Sequence, residues 1–261
     1  MSTTTPVLDD VSILDAVRTM YDDVATCPTK EFHFPTGRDA CLYVGYPESE
    51  IDALPATAVE SFAGVGYPFL AGQIESGDVV VDIGAGSGVD VLVAAHKTGS
   101  SGRVFGIDMT PAMIEKATAN IREAGTPHAE IIEGRADELP LDDASTDIVT
   151  SNGVINLVPD KAKAFREIHR VLKPGGRVQI ADIVLSKPVA AGSKANPQLW
   201  AECIVGAVPE EDYLLLIREA GFSDVSIIDR LDYFARSSNE STRKSAKGLG
   251  AHTIVLSGRK A

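Results

Sequence analysis

The chain predicts an α/β protein built on an open, doubly wound, mostly parallel sheet. Three observations carry this. From Val79 onward, short apolar runs alternate with amphipathic stretches of helical length, as in sheets covered on both faces. A glycine-rich run, "VVVDIGAGSGVD", directly continues the first apolar run. With 261 residues the chain is long enough for one such domain with additions and a substantial core.

The first element is an amphipathic helix over 10–25, followed by the Pro-, Gly- and aromatic-rich stretch "CPTKEFHFPTGRDACLYVGYP". Residues 1–75 together read as an irregular N-terminal cap, with "FHFPTGRDA" as a lid, and 76–261 as the sheet domain. Strands are expected at 79–83, 103–108, 129–134, 147–152, 176–184, 225–229 and 252–259, which makes a seven-stranded sheet. Helices are expected near 88–99, 111–124, 160–172 and 209–220, with a short one in "ARSSNESTRKSAKGLG". Thr110 is placed to cap the second of these, with Pro111 in its first turn. The "LKPGG" after the third stops it and turns the chain into the next strand. An insertion at about 186–209 carries "LWAECIVGAVPEEDY".

Composition narrows the partner. A formal net charge of −13 disfavours a nucleic-acid backbone or an anionic membrane and leaves a small molecule as the expected partner. No run of ~18 apolar residues and no basic-then-apolar leader is present, so the expected location is cytoplasmic. Cys27, Cys41 and Cys203 are too far apart for a zinc knuckle, and the five histidines show no metal-ligand spacing.

The glycine run places Asp82, Gly84, Gly86 and Gly88 at the C-terminal end of the first strand, where open α/β sheets bind ligands. Such a run on its own is equally a tight turn. Its third glycine comes one residue early for a dinucleotide fingerprint, which calls for a small residue where Val89 stands. Asp108 ends the second strand 20 residues after Gly88, suited to the two hydroxyls of a ribose, or else to a helix dipole. In "RADELP", Asp137 suits an exocyclic amine of adenine and the Ala136 N–H a ring nitrogen; the alternative is a solvated loop acid. No Walker-type phosphate cradle is present. S-adenosylmethionine, a ribonucleoside with an amino-acid tail and no phosphate, fits this set.

With "VVVDIGAGSG", "GIDMT", "EGRADELP" and "VLKPGGR", residues 65–185 resemble the class I S-adenosylmethionine-dependent methyltransferases, whose fold is Rossmann-like. "GRVFGIDMTPAMI", "SNGVINLVPDKAKAFREIHRVLKPGG" and "LWAECIVGA" are similar, more closely, to the arsenite methyltransferases, over about 55–235. The resemblance implies that Asp82, Gly84, Gly86, Asp108, Met109, Ala136 and Asp137 hold the cofactor, that Ser151 and Asn152 border the methyl group, and that Asn156 supports their turn. Arsenite methyltransferases typically have cysteines at the positions of Val65, Gly153 and Cys203; this chain has only Cys203.

One thiolate does not chelate arsenite. The acceptor pocket is therefore expected to be less polar, lined by Val65, Gly153, Tyr67, Trp200, Phe32, Phe34 and Tyr46. A sulfide or small thiol needs only alignment with the methyl group, since a thiol pKa of about 8.5 leaves usable anion near neutrality. An oxygen or carbon acceptor wants a general base, for which His33 or a nearby tyrosine is the candidate. The expected catalytic set is Cys203, Asn152, Tyr67 and His33, with Cys203 equally readable as a small buried apolar residue. Expected functions are, in order, S-methylation of a small soft nucleophile, methylation of a thiol-bound arsenical, and O- or C-methylation of a larger apolar molecule. A binding protein without turnover is the non-enzymatic alternative.

Overall fold

The computed structural model describes residues 10–189, 200, 204–237 and 239–261. Its centre is a seven-stranded sheet in the order β3-β2-β1-β4-β5-β7-β6. The strands are β1 (Val79–Ile83), β2 (Arg103–Asp108), β3 (Ala129–Glu133), β4 (Thr146–Asn152), β5 (Leu172–Val184), β6 (Phe222–Leu231) and β7 (His252–Lys260). The first five run parallel, and β7 lies antiparallel between β5 and β6. Strand order reverses between β1 and β4, so a crevice opens where their C-terminal ends diverge.

Both faces of the central strands are buried, which is why their sequences read as unbroken apolar runs. On one face Val80, Val104 and Ile148 pack with α5 (Val89–Thr98), α6 (Pro111–Glu123) and the N-terminal helices. On the other, Val81, Ile83 and Val149 pack with α7 (Lys161–Val171) and α8 (Glu210–Glu219). A last helix, α9 (Glu240–Leu249), leads into β7 and is capped by the Asn239 side chain.

The N-terminal segment is more regular than its composition suggests. After α1 (Asp10–Thr26) come three short helices, α2 (Gly37–Tyr43), α3 (Glu48–Ile51) and α4 (Ala56–Glu60). Their N-caps at Thr36, Pro47 and Pro55 make no side-chain hydrogen bond, so tertiary packing through Ala40, Ile51 and Ala58 holds them in place.

Two expectations change. Thr110 makes no side-chain cap on α6; its N–H is taken instead by the Asp108 carboxylate at 2.8 Å. The "KPGG" stretch does not precede β5 but bulges from it: Leu172 pairs with Thr146, and the next matched pair is Arg177 with Ile148. Fully buried Leu172 anchors the strand early, and Gly175, at φ +79°, lets the chain loop out without a Cβ penalty.

Candidate functional site

The crevice between β1 and β4 is a cavity enclosing about 120 Å³, lined by residues of the glycine turn, β2, β4 and α1. Its floor is the glycine turn. Gly84, Gly86 and Gly88 have φ of +73°, +51° and +94°, the left-handed region that favours glycine. The N–H groups of Gly84 and Ala85 both donate to the Ile107 carbonyl, at 2.7 and 3.0 Å, tying the turn to β2. A Cβ on Gly84 would overlap Val154, which arrives from the far side of the crevice after β4. Gly88 plays a different part: its Cα faces Ala117 of α6, where a Cβ would come within 3.3 Å, so it serves helix packing and is not in the cavity wall.

Asp108 lies at the mouth of the turn. One carboxylate oxygen accepts from Gly86 N at 2.8 Å and the other from Thr110 N at 2.8 Å. Burial raises its carboxyl above the usual range, opposed by these N–H donors. Beside it, Met109 and Ala136 line the wall with Asp137. Arg135 donates through two nitrogens to both Asp137 oxygens at 2.8 Å and lowers that carboxyl below its ordinary value. Arg135 is the sole cationic side chain among the described lining residues, and it is already paired. The wall therefore suits a nucleoside better than a polyphosphate.

Asp82 sits beneath the turn, 2 % exposed, where Thr150 Oγ1 donates to it at 2.7 Å; it does not line the cavity. Nor does Ser151, whose hydroxyl is buried on the sheet face away from the cap with no hydrogen-bond partner among the described residues. Asn152 does line it, with its amide fully engaged. Oδ1 accepts from Val65 N at 2.7 Å and Gly66 N at 3.2 Å, while Nδ2 lies 2.9–3.0 Å from Gly66 O, Tyr46 Oη and Asp90 Oδ2. Asn156 supports the following turn through its N–H, which donates to Asp182 at 2.9 Å; Tyr213 Oη donates to the same carboxylate at 2.7 Å.

After β4, Gly153 lines the cavity, while Val65, expected in the lining, is buried behind it and packs against Gly153. A Cβ on Gly153 would stand 3.1 Å from Val65 Cγ1, although the two positions are 88 residues apart. Phe62, Ala63, Gly64, Leu157 and Val158 continue an apolar wall, and Trp200 braces it by donating from Nε1 to Leu157 O at 3.0 Å.

Other expected residues fall elsewhere. Tyr67 donates to Glu50 at 2.8 Å, outside the lining, and His33 packs edge-on against Phe34 at 4.6 Å, also outside it. Phe32 and Phe34 stack behind Tyr21, which is the lining residue, so the "FHFPTGRDA" stretch does not reach the cavity. Of the cysteines, Cys27 is exposed, and Cys41 is buried with its thiol pushed up to about 12; neither lines the cavity. Cys203 lies outside the described residues.

Among the lining residues that were missed, Asp90 is the buried carboxylate. Asp90 stands in the first turn of α5, 6 % exposed, in a helix otherwise buried through Val89, Val91, Leu92 and Val93. Its signal was present: a lone carboxylate in the apolar run "VDVLVAA" needs a buried partner.

Comparison with known proteins agrees with this geometry. A family model described as a methyltransferase domain matches residues 74–221. An arsenite methyltransferase of Halobacterium salinarum is 36% identical over 184 residues, 70% of this chain and 47% of that protein. A demethylmenaquinone methyltransferase of Listeria welshimeri is 36% identical over 122 residues, 47% of this chain and 51% of that one. This chain thus spans about half the length of the curated relatives it matches. The crystal structure of an arsenic (III) S-adenosylmethionine methyltransferase from Chlamydomonas reinhardtii superposes with a TM-score of 0.65 at 30% identity, over 86% of this chain and 74% of that one. With the glycine turn at the switch point, the seven-stranded order and the matched family model, this chain belongs to the methyltransferase domain family and has the class I S-adenosylmethionine-dependent fold.

Proposed function

We propose that the chain transfers the methyl group of S-adenosylmethionine to a small soft nucleophile, sulfide or a small thiol. The cofactor supplies an activated methyl group on a sulfonium. In this reading Asp108 receives the ribose, Ala136 and Asp137 receive the adenine, and the Gly84–Gly86 turn lets the backbone approach. Asp137 keeps acceptor capacity for an amine, because a carboxylate offers about four lone-pair sites and Arg135 takes two.

The contact between Val65 and Gly153 carries the choice of acceptor. These are two of the three positions at which arsenite methyltransferases typically have cysteines; here Gly153 lines the cavity and Val65, 2 % exposed and behind the lining, backs it with its methyl groups. Such a wall favours a compact, weakly hydrated nucleophile needing no proton removed by the protein. The two candidate bases, His33 and Tyr67, lie outside the wall, which weighs against an oxygen or carbon acceptor despite the similarity to a quinone-modifying relative.

A second reading rests on the similarity to the arsenite methyltransferases: a trivalent arsenical already carrying thiol ligands enters the same pocket. Purified protein would be given S-adenosylmethionine with sulfide, methanethiol, or arsenite plus glutathione, with S-adenosylhomocysteine and the methylated products identified by mass spectrometry. Turnover with sulfur acceptors alone supports the first reading. Turnover with arsenite alone overturns it in favour of the second. Binding of S-adenosylhomocysteine without turnover of any acceptor removes both.

A further inference from the structure

Tyr46, Asp90 and Asn152 come from three separate parts of the chain and meet in one buried knot. Tyr46 follows α2 and is 3 % exposed, Asp90 opens α5, and Asn152 ends β4. The Tyr46 hydroxyl donates to Asp90 Oδ1. Asn152 Nδ2 lies 3.0 Å from Asp90 Oδ2 and 3.0 Å from the Tyr46 oxygen. The Tyr46 ring is wedged edge-on against Phe62 at 5.1 Å and Tyr67 at 4.7 Å, so its hydroxyl has little room to turn elsewhere.

These contacts settle which way the Asn152 amide points. Its oxygen faces two N–H donors, Val65 and Gly66, and its nitrogen faces acceptors, among them the Asp90 carboxylate. A flipped amide would set donor against donor at Val65 and acceptor against acceptor at Asp90. The orientation matters because the strip it grips carries Gly64, which lines the cavity beside Asn152, and Val65, which packs on Gly153.

We propose that Tyr46 and Asp90 are positioning residues for methyl transfer: they lock the Asn152 amide so that it grips Val65 and Gly66 and fixes the acceptor wall against the cofactor turn. This rests on the reading of the cavity as a methyl-transfer site. Burial raises the Asp90 carboxyl to about 6, against the donors Tyr46 and Asn152, which lower it. The titratable groups around it are Tyr46, Cys41 and Glu50 from the cap, with Lys97 paired to Glu50, and Asp82 from β1. Protonation turns one acceptor of the lock into a donor, so turnover is expected to fall below pH about 6.

The test uses the full chain with Tyr46→Phe, Asp90→Asn and Asp90→Glu. Asp90→Asn presents an NH₂ to either Tyr46 or Asn152, which breaks the lock; Asp90→Glu keeps two acceptors. Misplacing the wall by an ångström is expected to lower kcat about tenfold or more in Asp90→Asn and to raise the acceptor KM. S-adenosylhomocysteine affinity, read by calorimetry, should stay within about threefold, since the ligands of the nucleoside are untouched. Asp90→Glu should recover part of kcat and shift the acid limb of the pH profile. A parallel loss of nucleoside affinity and kcat in every variant would mark a merely structural role and overturn the proposal. Hydrogen exchange on the ligand-free protein reads the lock without any turnover. Val65 and Gly66 amides should lose protection in Asp90→Asn and Tyr46→Phe, and unchanged protection overturns the proposal even if no acceptor is ever methylated. Failure of the wild type to bind S-adenosylhomocysteine would instead strike the methyl-transfer reading alone.

Discussion

Restoring thiols at positions 65 and 153 should turn the apolar wall into a dithiol site. Gly153 has φ +75°, where a side chain costs roughly 1–2 kcal/mol, and its new Cβ would stand 3.1 and 3.4 Å from the two Val65 methyls. Gly153→Cys alone therefore carries conformational cost plus crowding. Val65→Cys removes one buried branch, costing about 0.8 kcal/mol by transfer of a methylene. In the double variant the removed branch makes room for the new Cβ, so the combined loss should be smaller than the sum of the singles. At roughly 2–4 °C per kcal/mol for a chain of this size class, Gly153→Cys should lower Tm by ~2–8 °C, part of which Val65→Cys restores. Phenylarsine oxide titrated under reducing conditions should then protect two thiols of the double variant from alkylation and raise its Tm, with little effect on the wild type. If the wild type binds the arsenical as tightly as the double variant, the view of this wall as a lost metalloid site is refuted.

Other outcomes follow from the same geometry. Asp108→Asn keeps one acceptor where two N–H groups need one each, so S-adenosylhomocysteine affinity measured by calorimetry should fall by about tenfold or more. Gly84→Ala should destabilise by several kcal/mol, because its Cβ overlaps Val154; Val154→Ala in the same chain should recover part of the loss in thermal denaturation. Asp90 and Asp182 are each raised to about 6 and Asp82 is raised further, in every case chiefly by burial. Groups raised above their unfolded pKa hold protons more tightly in the folded state, so Tm should rise as pH is lowered from about 7 to 5. Asp182→Asn should flatten that rise.

Strand positions, the glycine turn and the acids at 108 and 137 were legible because each rests on short-range pattern. Apolar runs mark strands buried on both faces, and a carboxylate at a strand end meets whatever binds in the crevice. The roles of Ser151 and Asn152 were not, since alternation puts neighbours on opposite faces and only the register of β4 says which face meets the cap. Placing His33 and Tyr67 in the site failed for a related reason. An aromatic-rich cap predicts burial but not direction, and these two side chains pack on Phe34 and Glu50. Asp90 could have been found by asking what satisfies a charge in an apolar helix, although its partners, 44 and 62 residues away, could not.

The pairing of Gly153 with Val65 also separates two kinds of constraint within one cavity. Val65 contributes its backbone N–H to Asn152 and its side chain to Gly153. The first contact is indifferent to residue type, while the second sets what stands directly behind Gly153 in the wall. Position 65 can therefore exchange thiol for methyl groups without loosening the lock that holds the strip in place. Under the proposed function, that independence is a physical route to a different acceptor wall with the glycine turn, 20 or so residues further along, left intact. It also explains why the glycine at 153 is tolerated. Its positive φ suits glycine, and the neighbouring valine fills the space that a side chain there would occupy.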